Sequence, residues 1–400
     1  MNNYGLFKQA AADNHYVSLT KALNSAFCTE NTQKTMKRIT ASNIKYAHMG
    51  QFIIHEGICY SSFLQNPGDD GEGHDSLTSG VVLAVFPLKK AISDDFDADR
   101  DITFYPIGSK GDFCAGVKAC SIFKDNSMCL VGNLLHICFC FIGEDGRSHM
   151  FCKVFNILTE NWERENAISL RYNGKLYDFS DETINIVYQD KGLLPRAEGL
   201  IELVSAWSEY RGEYYATGVT IEQPNNGIVV KTADFVTMEL VDAVPFNDMG
   251  SAEIASYIFK NRLYVACRQG YGIPYLYVSF LDLTTMEWKN HYRLADGNVR
   301  PWFFAHKDEL YLLNTIEEKT RTYTNISRVR VWETEYDCFN DHCPVDTIAT
   351  LKDCGCYFAT ANDGDDVYFV CTRVTENFGK LCLDFFDPEE VNGKLLSLFA

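Results

Sequence analysis

The 400-residue chain contains no uncharged apolar run of the roughly 18 residues that a membrane-spanning helix needs. It has no glycine-rich phosphate loop, no dinucleotide fingerprint, no G-x-S-x-G elbow and no H-E-x-x-H pair, which removes the commonest nucleotide, hydrolase and zinc-protease arrangements. Low-complexity tracts are absent, and no Pro/Ser/Gly linker divides the chain. Positive charge is in deficit: a net charge of -18 repels phosphate backbones and anionic membranes, so neither nucleic acid nor membrane is expected as a partner. The opening "MNNYGLFKQAAADNHYVSLT" lacks the apolar core of a secretory leader. As it reads, the chain is expected in the cytoplasm, or in a secreted or periplasmic location where a leader has been trimmed ahead of residue 1.

What is present favours strands. Hydrophobic residues make up 46% and aromatics 14%, enough for a large core rich in strand-forming side chains. The 15 cysteines fall inside strand-like runs such as "HICFCF" and "DCGCYF" rather than at the spacings of a small disulfide framework. They read as buried thiols that fill a core.

A short turn followed by an apolar strand with Tyr or Cys recurs seven times: "HEGICYSSF", "KDNSMCLVG", "YNGKLYDFS", "YRGEYYATG", "FKNRLYVAC", "HKDELYLLN" and "NDGDDVYFV". Their turns, near Glu56, Asp125, Asn173, Arg211, Asn261, Asp308 and Asp363, are spaced by about 51 residues on average, the period of propeller blades. Residues 149–180 and 275–314 align best, each with a strand, a "NILTENW" or "DLTTMEW" turn and a new hairpin; Trp162 and Trp288 are read as equivalent, packed between blades. The expected fold is all-β, a propeller of six or seven four-stranded blades. Residues 1–40 form an N-terminal segment with a helix around "YVSLTKALNSAF", and residues 41–400 a single propeller domain. Two acidic insertions, 66–80 and 92–113, lack calcium-loop spacing and read as solvated charge.

In such a ring, the loop into each innermost strand and the loop between the two middle strands open on one axial face. The inbound loops carry Tyr46 and His48, Arg196 and Glu198, Asp248 and Glu253, and Arg300 and Trp302. The middle loops carry His74 and Asp75, Arg268 and Tyr271, Arg321 and Tyr323, and, in "RVTENFG", Arg373. Arg196, Arg268 and Arg300 therefore share a rim with Glu253, Tyr271 and Asp75, and grouped arginines suit a carboxylate gripped bidentately.

The run from Ser251 to Thr315 resembles the sialidase-like propeller pattern: Glu253 ahead of an inner strand, Arg268 at the hairpin's end, an Asp282-to-Trp288 turn, then Arg300-Pro301 leading into the next hairpin. The resemblance implies a glycoside hydrolase acting on glycans that bear an acidic sugar. A tyrosine assisted by a glutamate attacks the anomeric carbon and an aspartate serves as acid. It implies Glu253 as the tyrosine's base, Arg268 and Arg300 as carboxylate ligands, and, by loop location alone, Tyr271 (or Tyr323) as nucleophile and Asp75 as acid. Arg196, Trp302, His48 and His74 complete the expected sugar-binding rim. A full S-x-D-x-G-x-T-W box is absent, and Tyr46 and His48 stand where an arginine would open the first hairpin. The alternative is a non-catalytic propeller that binds carbohydrate or protein on its axial face. No cofactor and no metal are expected: Cys338, His342, Cys343, Cys354 and Cys356 lack the tight C-x2-C pairs of zinc sites, and Cys354 and Cys356 read as neighbours on one strand face.

Overall fold

A computed structural model describes residues 36–68, 79–122, 126–190, 201–203, 205–220, 227–245, 251–269, 275–295, 299–318, 321–329, 345–373 and 375–381. The chain is a six-bladed β-propeller. Blade I comprises strands Tyr46–His55, Ile58–Asn66, Gly80–Pro87 and Thr103–Ser109, paired antiparallel in that order. Blades IV (Ser251–Phe259 to Glu287–Ala295) and V (Trp302–His306 to Val345–Lys352) repeat this plan. Blade VI is built from Cys356–Asp363, Asp366–Arg373 and Thr375–Leu381, and Lys37–Arg38 supplies its fourth strand by pairing with Phe378 and Asn377.

Blades II and III are larger. In each, the innermost position is shared by two short pieces. Leu134–Gly143 pairs with Ser127–Val131 and with Val117–Ile122, and Glu213–Thr220 pairs with Ser208–Tyr210 and with Ile201–Leu203. The hairpin Ser169–Tyr172/Lys175–Asp178 adds two outer strands to blade III by lying parallel to Thr237–Ala243. That hairpin is the Asn173 repeat signal, so seven signals correspond to six blades. Asp125 lies outside the described residues, and the tight turn of blade II falls at Gly132 instead.

The inner hairpins of blades I, III and V close where two successive residues accept positive φ: Glu56–Gly57, Arg211–Gly212 and Lys307–Asp308. This is the two-residue turn whose twist matches that of paired strands. The outer turns use side-chain caps. Asp282 Oδ1 accepts from the amides of Thr284 (2.8 Å) and Thr285 (3.2 Å), Asn156 Oδ1 from Leu158 and Thr159, and Asp234 Oδ1 from Val236 and Thr237. Met286 and Glu160 take positive φ at matching places, four residues after their caps, whereas in blade III the positive φ falls on Phe235, directly after Asp234. Trp288 Nε1 donates to Asp242 of blade III at 3.0 Å, and Trp162 sits edge-on to Phe155 beside blade I.

The core lies between blades. Phe52 and Phe86 of blade I meet Phe378 and Tyr368 of blade VI, and Cys129, Cys138, Cys140 and Cys152 of blade II meet Trp207, Phe235 and Met238 of blade III. The described cysteines are thiols, all buried except Cys120. Cys354 and Cys356 do not share a face: Gly355, at φ +114°, separates them, and they join different clusters. Within the acidic stretch 92–113, Thr103–Ser109 is the outermost strand of blade I, while Asp94, Asp95, Asp97 and Asp99 ahead of it are exposed. Asp101 accepts from its neighbour Arg100, and Asp99 accepts from the amide of Ser42, 57 residues away in sequence. The inner strands enclose an axial cavity of about 390 Å³, lined in part by Phe52, Met128, Trp207, Tyr257, Trp302 and Thr360. Among the described residues, no helix is long and apolar enough to cross a membrane.

Candidate functional site

The inner strands of blades I, IV and VI depart from regular pairing at their N-terminal ends, on the axial face, around a non-glycine residue with positive φ. Blade I shifts register between His48 and Gln51, blade IV between Ala252 and Ile254, and blade VI between Cys356 and Ala359. Each shift contains a non-glycine residue with positive φ: Met49 (59°), Glu253 (40°) and Tyr357 (53°). Such backbone is disfavoured by Cβ sterics, and a bulge re-aims the side chains around it. Here the re-aimed side chains converge.

Tyr357 Oη donates to Glu253 Oε1 at 2.7 Å, and Glu253 Oε2 accepts from Arg268 Nη1 at 2.6 Å. The Arg268–Glu253 ion pair is half-buried, with side-chain exposures of 15% and 13%. His48 stands edge-on to Tyr357, with ring centroids 4.2 Å apart, and the Arg300 guanidinium lies 5.5 Å from the Tyr357 ring and 5.6 Å from the Trp302 ring. Burial pushes the Tyr357 phenol well above its ordinary pKa and the Glu253 charge raises it further, against a smaller opposing pull from Arg268. The phenol is therefore protonated at neutral pH and hydrogen-bonded to a carboxylate that an arginine holds.

Arg300 is the largest fully buried side chain, 1% exposed, and Nη2 reaches the carbonyl of Gly50 at 3.5 Å. Expected from sequence on the rim, this guanidinium lies beneath the surface. Trp302 is also buried: its indole donates to Thr360 Oγ1 at 3.1 Å, so it belongs to the wall between blades V and VI. Asp75, His74, Arg196 and Tyr271 lie outside the described residues. Tyr323, in Arg321–Val329, pairs with Ile316 and Lys352.

Two residues of this site were not singled out from sequence. Tyr357 stands in "DCGCYF", which reads as core strand; the available hint was Gly355, whose φ of +114° marks an irregular start to the strand. Glu376 stands in "RVTENFG", the loop whose Arg373 points by location to the rim. It is fully buried, and Oε1 accepts from Thr372 Oγ1 at 2.7 Å and from the amide of Gly50 at 3.2 Å. Burial raises its pKa to about 7, opposed by those two hydrogen bonds and by Arg300. Among the described residues, no group of three or more His, Cys, Asp or Glu side chains is arranged to hold a metal.

No family model matches the sequence, and no curated protein matches it. Solved structures do match the fold. A protein of unknown function from Dyadobacter fermentans DSM 18053 superposes with a TM-score of 0.57 over 87% of this chain and 98% of its own, at 11% identity. Hadza microbial sialidase Hz136 gives 0.56 over 86% of this chain and 66% of its own, at 9% identity. Trypanosoma rangeli sialidase, in complex with 2,3-difluorosialic acid as a covalent intermediate, gives 0.53 over 92% and 59%, at 10% identity. The chain thus spans about three-fifths to two-thirds of those sialidases and nearly all of the first protein.

Proposed function

We propose that this sialidase-like six-bladed propeller is a glycoside hydrolase acting on glycans that bear an acidic sugar, with its reacting groups on the axial face. The supporting observation is the contact chain Tyr357–Glu253–Arg268, at 2.7 and 2.6 Å. A protonated tyrosine is a weak nucleophile until a base takes its proton as the new bond forms. Glu253 is placed to be that base, and Arg268 stabilises its carboxylate beforehand.

In the first step Tyr357 Oη bonds to the anomeric carbon, the phenolic proton passes to Glu253, and the glycosidic bond breaks with a proton delivered to the leaving oxygen. Asp75 is the proposed donor of that proton. Water then displaces the tyrosine, restoring the phenol and releasing the sugar with retained configuration. A neutral nucleophile suits a substrate with a carboxylate near the anomeric carbon, since an anionic one would be repelled by it. Arg268, partly exposed and paired with Glu253, is the guanidinium proposed to meet that carboxylate.

The second reading, an axial face that binds carbohydrate or protein without cleaving it, draws support from Arg300, whose burial removes one guanidinium from direct reach. Hydrolysis of sialosides and of uronic-acid glycans by the full chain, with Tyr357→Phe and Glu253→Gln beside it, separates the two. Turnover lost in both variants supports the hydrolase. Binding of the same glycans without turnover supports the second reading.

A further inference from the structure

Blade VI meets blade I through a carboxyl group that the proposed chemistry does not use. The bulge of blade I leaves the Met49 and Gly50 amides out of the strand ladder. Both are satisfied from blade VI: the amide of Met49 donates to Thr372 Oγ1 at 3.2 Å, and that of Gly50 to Glu376 Oε1 at 3.2 Å. Thr372 Oγ1 itself donates to Glu376 Oε1 at 2.7 Å. From blade V, Arg300 Nη2 donates to the carbonyl of Gly50. A Cβ on Gly50 would come within 2.9 Å of Glu376 Oε2, so glycine at this position keeps the carboxyl close to the backbone. On the other side of the same bulge, His48 packs against Tyr357.

We propose that Glu376 is a positioning residue: acting through Thr372 and Gly50, it fixes the bulge of blade I, and with it the face that His48 presents to Tyr357. It does not touch substrate. A buried carboxyl is costly, and an apolar side chain could fill this junction. What a carboxyl adds is an acceptor for one hydroxyl and one amide that the bulge leaves without strand partners. Oε2 meets no hydrogen-bond partner among the described residues. The charged or titratable groups facing Glu376 are Arg300 from blade V and Cys371 from its own blade, with His48 two residues from Gly50 on blade I. This role rests on Tyr357 being the reacting group. The test therefore includes a readout that does not need turnover.

The full chain would be compared with Glu376→Gln, Glu376→Ala and Thr372→Val. The readouts are the His48 imidazole resonances by nuclear magnetic resonance, and kcat and KM on any acidic glycan that the wild type cleaves. Glu376→Gln keeps an acceptor oxygen and should leave the His48 resonances near wild type. Glu376→Ala should shift them and lower kcat by about tenfold or more, with KM changed less than about threefold. Thr372→Val should give a smaller shift in the same direction, and it decides the matter if Glu376→Ala does not fold. Unmoved His48 resonances in both Glu376→Ala and Thr372→Val would overturn the proposal, as would Gln being as disruptive as Ala. A wild type that cleaves no acidic glycan would sink the hydrolase reading alone, since the His48 resonances still report on the bulge of blade I.

Discussion

Glu253 and Tyr357 are 104 residues apart in sequence, yet their side chains meet at 2.7 Å. Each takes positive φ within a bulge on the innermost strand of its own blade. Backbone strain of order 1–3 kcal/mol per residue persists only where surrounding structure enforces it, and it gathers at functional sites. Two regular strands would have carried these side chains past one another.

The first prediction concerns that contact. Glu253→Gln retains size and a hydrogen-bond acceptor but is a far weaker proton acceptor, so kcat on an acidic glycan should fall by about 10²–10⁴-fold. Tyr357→Phe should fall at least as far. Circular dichroism should be unchanged in both, and a variant with wild-type turnover would remove that residue from the chemistry.

The two arginines should separate in their effects. Arg268 is partly exposed beside the pair, so Arg268→Lys, which cannot grip a carboxylate bidentately, should weaken glycan binding with little loss of stability. Arg300 is buried beside Glu376, Tyr357 and Trp302, so Arg300→Ala leaves a cavity and an uncompensated carboxyl. A loss of about 3 kcal/mol is expected in urea unfolding.

Glu376 should leave a signature in stability against pH. Its carboxyl is raised from the ordinary 4.5 to about 7, chiefly by burial. Below the unfolded value both states hold the proton and the contribution is fully present. As pH rises towards 7 the unfolded chain releases its proton first, so stability declines through this window and levels off above it. The full span is on the order of 3 kcal/mol. The difference in unfolding free energy between wild type and Glu376→Gln should therefore change by roughly that amount between pH 4 and pH 8, in the direction that favours the variant at high pH. A constant difference would mean that the carboxyl titrates normally.

Gly355 offers a test of the strand that carries Tyr357. Its φ is +114°, and a Cβ there would collide with the carbonyl oxygen of Thr372. Gly355→Ala combines left-handed strain with a backbone clash and should lose more than about 2 kcal/mol in denaturant unfolding. A neutral result would show that this approach to blade VI relaxes freely.

Much of the ring is legible in the chain because its cause is local. Two-residue turns such as Glu56–Gly57 and Arg211–Gly212, followed by alternating apolar runs, specify hairpins with no reference to the rest of the molecule. The side-chain caps at Asp282 and Asn156 mark equivalent outer turns in the same way. The Asn173 hairpin carries an identical local signal, and only its parallel pairing with Thr237–Ala243 reveals that it is not a blade. The site was partly legible: Glu253 and Arg268 sit at a motif, but Tyr357 is recruited by a bulge, and a bulge leaves no composition behind. Glu376 escaped notice for the opposite reason, since a glutamate at a hairpin tip reads as solvated until burial is known.

The closure of the ring by Lys37–Arg38 against Asn377–Phe378 has a consequence for the order of events in folding. Ser251–Arg268 can form a hairpin as soon as it is made, and with it the Glu253–Arg268 pair. Its tyrosine arrives from the last blade, and the wall behind that tyrosine belongs to the first. A chain halted with five blades in place would hold the Glu253–Arg268 pair without the phenol it serves, so the capacity for chemistry would appear in one step, as the circle shuts.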